Sequence, residues 1–201
     1  MNKESTAVDL AQQAAAGDNF TAAYDIERIR ADFPILKQKV YGKPLVYLDN
    51  GASAQKPRQV LDAMNEAYET YYSNVHRGVH WTSQTSTEAF EGSRKKVAAF
   101  LNAVSENEII FTRGATEAIN LVAASWGGAN LNPGDEVILS HMEHHSNIVP
   151  WQILRQQKGI ELKIVPIDDD GNFLIDEFAE LLGAKTKLVA ITQTSNVLGT
   201  M

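Results

Sequence analysis

The chain has 201 residues, 44% of them hydrophobic and 21% charged, and a net charge of −7. Those are globular values for one ordinary domain or slightly more, and the acidic balance without a basic run disfavours nucleic acid or an anionic membrane surface as partner. No cysteine is present, which excludes disulfides and thiolate metal sites among these residues. With no apolar stretch near ~18 residues and no signal-like N-terminus, the expected location is cytoplasmic.

Residues 1–23, rich in Ala, Gln, Asp and Ser, are expected to form a loosely ordered extension, helical at most over Leu10–Ala16. Residues 24–201 are expected to form one domain. Ile26, Ile29, Phe33 and Leu36 predict a short helix ending near Pro34, and Leu45-Val46-Tyr47-Leu48 predicts a strand. Pro57 opens a helix with Val60, Leu61, Met64, Ala67, Tyr68 and Tyr71 on one face, and another helix is expected over Ser86–Asn102.

Beyond that point strands and helices alternate. Strands are predicted at Glu108–Phe111, Glu136–Leu139, Leu162–Ile167 and Leu188–Thr192, with helices at Thr116–Trp126, Asn147–Gln157 and Asp176–Leu182. Near-continuous apolar strands in such an alternation predict an α/β fold with a mostly parallel sheet flanked by helices. No internal repeat or low-complexity linker interrupts the pattern.

Ligands in such folds bind at the carboxyl ends of the strands. In Thr112-Arg113-Gly114-Ala115-Thr116-Glu117 a strand feeds a glycine turn that opens into a helix. Small residues there let a ligand reach the backbone, and free N–H groups suit an anion. The Thr116 hydroxyl serves either a phosphate or the helix as a cap. The segment is neither a Walker loop nor a dinucleotide fingerprint.

Ser140-His141-Met142-Glu143-His144-His145-Ser146-Asn147 follows the strand Glu136–Leu139. Three histidines suggest zinc, but adjacent histidines seldom converge on one centre, so no metal is expected. An imidazole face stacked on a planar ring fits better. His76-Arg77-Gly78-Val79-His80 offers a guanidinium for a carboxylate and an imidazole for a proton, or is simply a solvated loop. Asn196, after the last strand, can donate to a ligand oxygen or tie its turn. Phosphate, planar ring and ring oxygen together suit a phosphorylated aromatic cofactor.

Five segments, in order and with matching spacing from about Tyr24 to Thr200, resemble the SufS/CsdA-type cysteine desulfurases. They are Tyr47–Pro57, Val75–His80, Arg113–Ala123, Met142–Trp151 and Thr194–Thr200. These are class V aminotransferase-like, fold-type-I enzymes that use pyridoxal 5′-phosphate. The resemblance implies that Ala115 and Thr116 hold the cofactor phosphate, that His144 stacks on its ring and that Asn196 bonds its phenolic oxygen. It also implies that Asn50, Gly51, Ala52 and Ser53 line the substrate side, with His76 and Arg77 at the mouth of the site near a homodimer interface. The implied reaction takes L-cysteine, or L-selenocysteine, to L-alanine and an enzyme-bound persulfide. That sulfur goes to an acceptor protein of iron–sulfur cluster assembly.

Family members continue for roughly as long again past these motifs. That stretch supplies the acidic partner of the pyridine nitrogen, the Schiff-base lysine and the nucleophilic cysteine. Lys185 and Lys187 do not match that lysine. The chain is therefore expected to be an N-terminal portion of the large domain, inactive alone, with exposed sheet edges and uncovered apolar surface. Two alternatives remain open. One is another class V enzyme, selenocysteine lyase-like or aminotransferase-like. The other is a non-catalytic half that pairs with a separate C-terminal chain.

Overall fold

A computed structural model describes residues 24–201. The expected extension and its helix at Leu10–Ala16 lie outside the described residues. The chain divides into two compact units, one up to Lys96 and one from Val97 to Met201.

The first unit is mostly helical. Helix α1, Ile26–Ala31, starts where the Asp25 side chain accepts the Arg28 amide at 3.0 Å. The helix ends at Ala31, close to Pro34 as expected, and Pro34 then opens a separate 3₁₀ turn, Pro34–Lys37, because its fixed φ suits a first helical position. Strands β1 (Lys39–Val40) and β2 (Lys43–Pro44) form an antiparallel hairpin. Tyr41 and Gly42 both have positive φ at its tip, 52° and 77°, as a type I′ turn needs.

Leu45–Leu48 is not a strand. Leu45 donates to the Gln38 carbonyl at 3.0 Å at the base of the hairpin, but no ladder continues, and Val46 and Leu48 face solvent. Helix α2, Arg58–Glu66, runs on through one π turn, Ala67–Tyr71. Helix α3, Trp81–Phe100, begins five residues earlier than Ser86. Its polar first turns are held by buried Ser83, whose hydroxyl donates to the Asn74 carbonyl at 2.7 Å and accepts the Gly78 amide at 3.0 Å.

The second unit contains the sheet. After a 3₁₀ turn at Glu106–Glu108 come helix α4 (Ala115–Val122), a π turn (Ala123–Gly127) and short helix α5 (Gly128–Asn130). Strand β3 (Glu136–Ser140) is followed by a 3₁₀ turn (His145–Asn147), helix α6 (Val149–Lys158), strand β4 (Glu161–Val165), helix α7 (Ile175–Leu181) and strand β5 (Thr186–Ala190). The strands are all parallel in the order β4-β3-β5, so the earliest strand is central. The predicted strand Glu108–Phe111 is outside this sheet: Glu108 ends the 3₁₀ turn, and Ile110 is 69% exposed.

Central β3 is buried on both faces, as its unbroken apolar run requires. Val137 and Leu139 join Trp151 and Leu154 of α6, Ala123, Leu131 and Ile160 in one core. Each fully buried large side chain contributes about 1.5–3 kcal/mol of transfer free energy. Flanking strands are less covered, and Ile164, Val189 and Ile191 are exposed. Helix α6 takes Pro150 in its first turn and stops at Gly159, left-handed at φ 71°, whose amide closes on the Arg155 carbonyl at 2.9 Å. Among the described residues no helix is long and apolar enough to cross a membrane.

Candidate functional site

Gly114 precedes α4 in extended backbone, and a Cβ on it would meet nothing within 4 Å. The first helical bond is from the Ala118 amide to the Gly114 carbonyl at 3.1 Å. The amides of Ala115, Thr116 and Glu117 therefore have no intrahelical acceptor and point out of the helix end. Thr116 does not cap the helix. Gly114 occupies that position, and the Thr116 hydroxyl makes no hydrogen bond among the described residues.

Glu117 is turned away from the open amides. Its carboxylate accepts the Arg113 backbone amide at 2.6 Å and both arms of the Arg113 guanidinium at 3.2 Å. The guanidinium hydrogen bonds first, then the amide, hold the Glu117 carboxyl below the usual carboxylate range.

Helix α4 packs against the His145–Asn147 turn. Behind that turn lies a residue the sequence motifs did not single out, Glu143, which is 9% exposed. Its Oε1 accepts the Ser140 hydroxyl at 2.5 Å and the Thr192 amide at 2.8 Å, while Oε2 accepts Asn147 Nδ2 at 2.8 Å. Asn147 Nδ2 also donates to the Ala190 carbonyl at 2.9 Å, and its Oδ1 accepts the Trp151 indole N–H at 3.0 Å. The carboxyl ends of β3 and β5 are thus knotted together. The spacing Glu143, Asn147, Trp151, four residues each time, was the available signal.

His144 lies between the two anchors. It caps the turn, its Nδ1 accepting the Ser146 amide at 3.2 Å and lying 2.8 Å from the Ser146 hydroxyl. That contact puts the proton of a neutral ring on Nε2 and fixes the ring plane. His144 is exposed, with His145 edge-on to it at 6.1 Å. His141 is also exposed, its backbone amide bonded to the Val165 carbonyl at 2.9 Å.

Asn196 projects from the loop after β5, and its side chain makes no hydrogen bond among the described residues. The buried neighbour Ser195 holds that loop. Its amide donates to the Thr200 carbonyl at 2.9 Å, and its hydroxyl accepts the Val197 and Leu198 amides at 3.3 and 3.1 Å. Thr200 reaches back to the Met142 sulfur at 3.9 Å. Ala115, Thr116, His144 and Asn196 therefore all stand on elements gathered around two neighbouring strand ends.

The remaining candidates belong to the first unit. Asn50, Gly51, Ala52 and Ser53 form an exposed turn in which Asn50 Oδ1 accepts the Gln55 amide at 3.1 Å. The Ala52 and Ser53 amides donate to the Asp49 carbonyl, and the Tyr47 hydroxyl ties the Ser53 carbonyl at 2.8 Å. His76 is left-handed at φ 59°, its amide on Thr87 Oγ1 at 3.0 Å and its Nε2 2.9 Å from Glu91 Oε1. Glu91 also takes Arg94 Nε at 2.9 Å, and that bond first, with His76 adding to it, keeps its carboxyl below the usual range. Arg77 is exposed and forms no ion pair among the described residues.

The aminotransferase class-V family model matches residues 46–201, and the chain belongs to that family. Within it, the chain is similar to the probable cysteine desulfurase 1 of Mycobacterium leprae, 53% identical over 178 residues, or 89% of this chain and 29% of the relative. The apo cysteine desulfurase of Thermococcus onnurineus superposes with a TM-score of 0.78 at 38% identity, covering 87% of this chain and 41% of that one. The cysteine desulfurase CsdA of Escherichia coli superposes at 0.72 and 39% identity, covering 86% and 42%. The chain spans less than half the length of these relatives, and its fold is the corresponding part of theirs.

Proposed function

We propose that residues 24–201 are the N-terminal part of a cysteine desulfurase domain and form the phosphate and ring side of its pyridoxal 5′-phosphate site. One observation carries this reading: an open helix start and a fixed, exposed imidazole stand on elements packed against each other at the strand ends.

The residues present fit the cofactor. Three outward amides and an unused Thr116 hydroxyl are donors for a phosphate, beside a glycine with open space around it. His144 offers a flat aromatic face, and Asn196 an unengaged amide for a phenolic oxygen. When bound, pyridoxal 5′-phosphate supplies the electron-withdrawing ring that makes bond breaking in an amino-acid substrate feasible.

The chain's own residues bind and orient. Ala115 and Thr116 hold the phosphate, His144 fixes the ring plane and Asn196 fixes its rotation. In the first unit, the resemblance alone assigns Asn50–Ser53 to the substrate, Arg77 to a substrate carboxylate and His76 to a proton. L-cysteine, with L-selenocysteine as its close analogue, is the substrate of this reading. Its sulfur leaves as a persulfide for an acceptor protein of iron–sulfur cluster assembly, within a homodimer. No cysteine occurs among these 201 residues, so the sulfur-carrying thiol lies outside them, and a polypeptide of these residues alone is inactive.

Equilibrium binding tests the reading. The 201-residue chain should bind pyridoxal 5′-phosphate more tightly than pyridoxal, with Thr116→Ala and His144→Ala each weakening it. Borohydride should leave the ligand removable by dialysis. Equal affinity for the two ligands overturns the phosphate site, and alanine release from L-cysteine above a protein-free control overturns the inactivity of the chain alone.

A further inference from the structure

Glu143 is the only buried charged side chain among the described residues, and nothing in the desulfurase reading uses it. Its three partners are all donors: the Ser140 hydroxyl, the Thr192 amide and the Asn147 side-chain amide. A buried carboxylate satisfied entirely by dipoles is costly to build and has one orientation. The Asn147 amide cannot turn over to suit a different partner. Its Oδ1 is taken by the Trp151 indole N–H, and its Nδ2 by the Ala190 carbonyl. Only an acceptor works opposite Nδ2. A glutamine at 143 either sets its amide group against that of Asn147 or turns it toward the Ser140 and Thr192 donors.

This network brackets His144. Glu143 is the residue before it and Asn147 the residue three after it, and both are tied to the end of β5. That strand end leads through Ser195 to Asn196. We propose that Glu143 is the positioning residue of this site, its buried carboxylate holding the turn on which Ser146 fixes the His144 ring against the strand end that leads to Asn196. The proposal rests on the reading of His144 as the wall of the ring site, and it assigns Glu143 no contact with the ligand.

The test uses the 201-residue chain and four proteins: wild type, Glu143→Gln, His144→Ala and the double variant. Two quantities are read, the affinity for pyridoxal 5′-phosphate and the ¹⁵N resonances of the His144 ring without ligand. Glu143→Gln is expected to weaken binding about tenfold, but by less than about twofold once His144 is alanine. Its ring resonances should shift and broaden, while wild type gives one sharp pair. Equal losses in both backgrounds mean general loosening, and unchanged ring resonances mean that the ring is held without Glu143. Either result overturns the proposal.

Ser140→Ala removes one donor only and serves if Glu143→Gln does not fold. It should weaken binding about threefold with the same dependence on His144, and a loss independent of His144 overturns the proposal equally. If wild type binds no pyridoxal 5′-phosphate, the reading of these residues as the phosphate and ring side of the site falls. The ring resonances then still report whether Glu143 orders His144.

Discussion

A Cβ added to Gly127 would stand 2.8 Å from Leu154 Cδ2, so the helical segment after α4 meets α6 with no room for a methyl group. Both residues are buried beside Leu131. Gly127→Ala gains about 1 kcal/mol of helix propensity but costs about 1–3 kcal/mol in overpacking, for a net loss. Leu154→Ala empties the same spot and costs about 2–5 kcal/mol. The double variant should be more stable than Leu154→Ala alone, by up to about 1 kcal/mol. Urea denaturation of the four proteins measures the coupling, and simple additivity would show that the contact does not limit packing.

Glu117 gives a pH signature with a definite sign. Arg113 holds its folded carboxyl below the ordinary glutamate value of about 4.3. The unfolded chain therefore binds this proton more tightly. The stabilisation is complete above that value and disappears as pH falls through the lower folded value. The stability gap between wild type and Glu117→Gln should be constant from about pH 7 to 5 and close below about 4. The pair is solvent-exposed, so high salt should narrow the gap. A gap that widens on acidification would contradict the assignment.

Gly171 sits at φ +81°, and a Cβ there would come within 3.0 Å of Leu198 Cδ1, two residues from Asn196. Gly171→Ala combines left-handed backbone strain of about 1–2 kcal/mol with pressure on the Asn196 loop. Thermal unfolding should fall measurably, and pyridoxal 5′-phosphate should bind more weakly than stability alone explains. A variant that unfolds earlier but binds equally well would remove Asn196 from the ligand's reach.

The chain made some of this legible and hid the rest for physical reasons. Glu136–Leu139 reads as a buried strand because an unbroken apolar run has to be covered on both faces, and β3 is the central strand. Leu45–Leu48 and Ile109–Phe111 carry the same local signal but lie outside any ladder, since strand pairing is decided by neighbours a single segment cannot reveal. Trp81–Thr85 looks like loop because its helical start depends on Ser83 bonding Asn74, nine residues back. Thr116, His144 and Asn196 were visible as turn chemistry at strand ends. Glu143 was not, because a glutamate among histidines reads as solvent-facing. Its burial depends on Thr192, 49 residues away, and on Ala190, which Asn147 reaches across 43 residues.

Gly114 separates binding from folding. Its backbone is extended, and an added Cβ meets no protein atom within 4 Å, so Gly114→Ala should change stability by less than about 0.5 kcal/mol. The same methyl group stands beside the outward amides of Ala115 and Thr116, where a phosphate has to come close to the backbone. Affinity for pyridoxal 5′-phosphate should therefore fall severalfold, and affinity for pyridoxal should not. Ala115→Gly leaves the approach open and should keep the phosphate preference. Titrating both ligands against both variants, with melting curves alongside, decides the matter: an unchanged preference in Gly114→Ala would move the phosphate away from the start of α4.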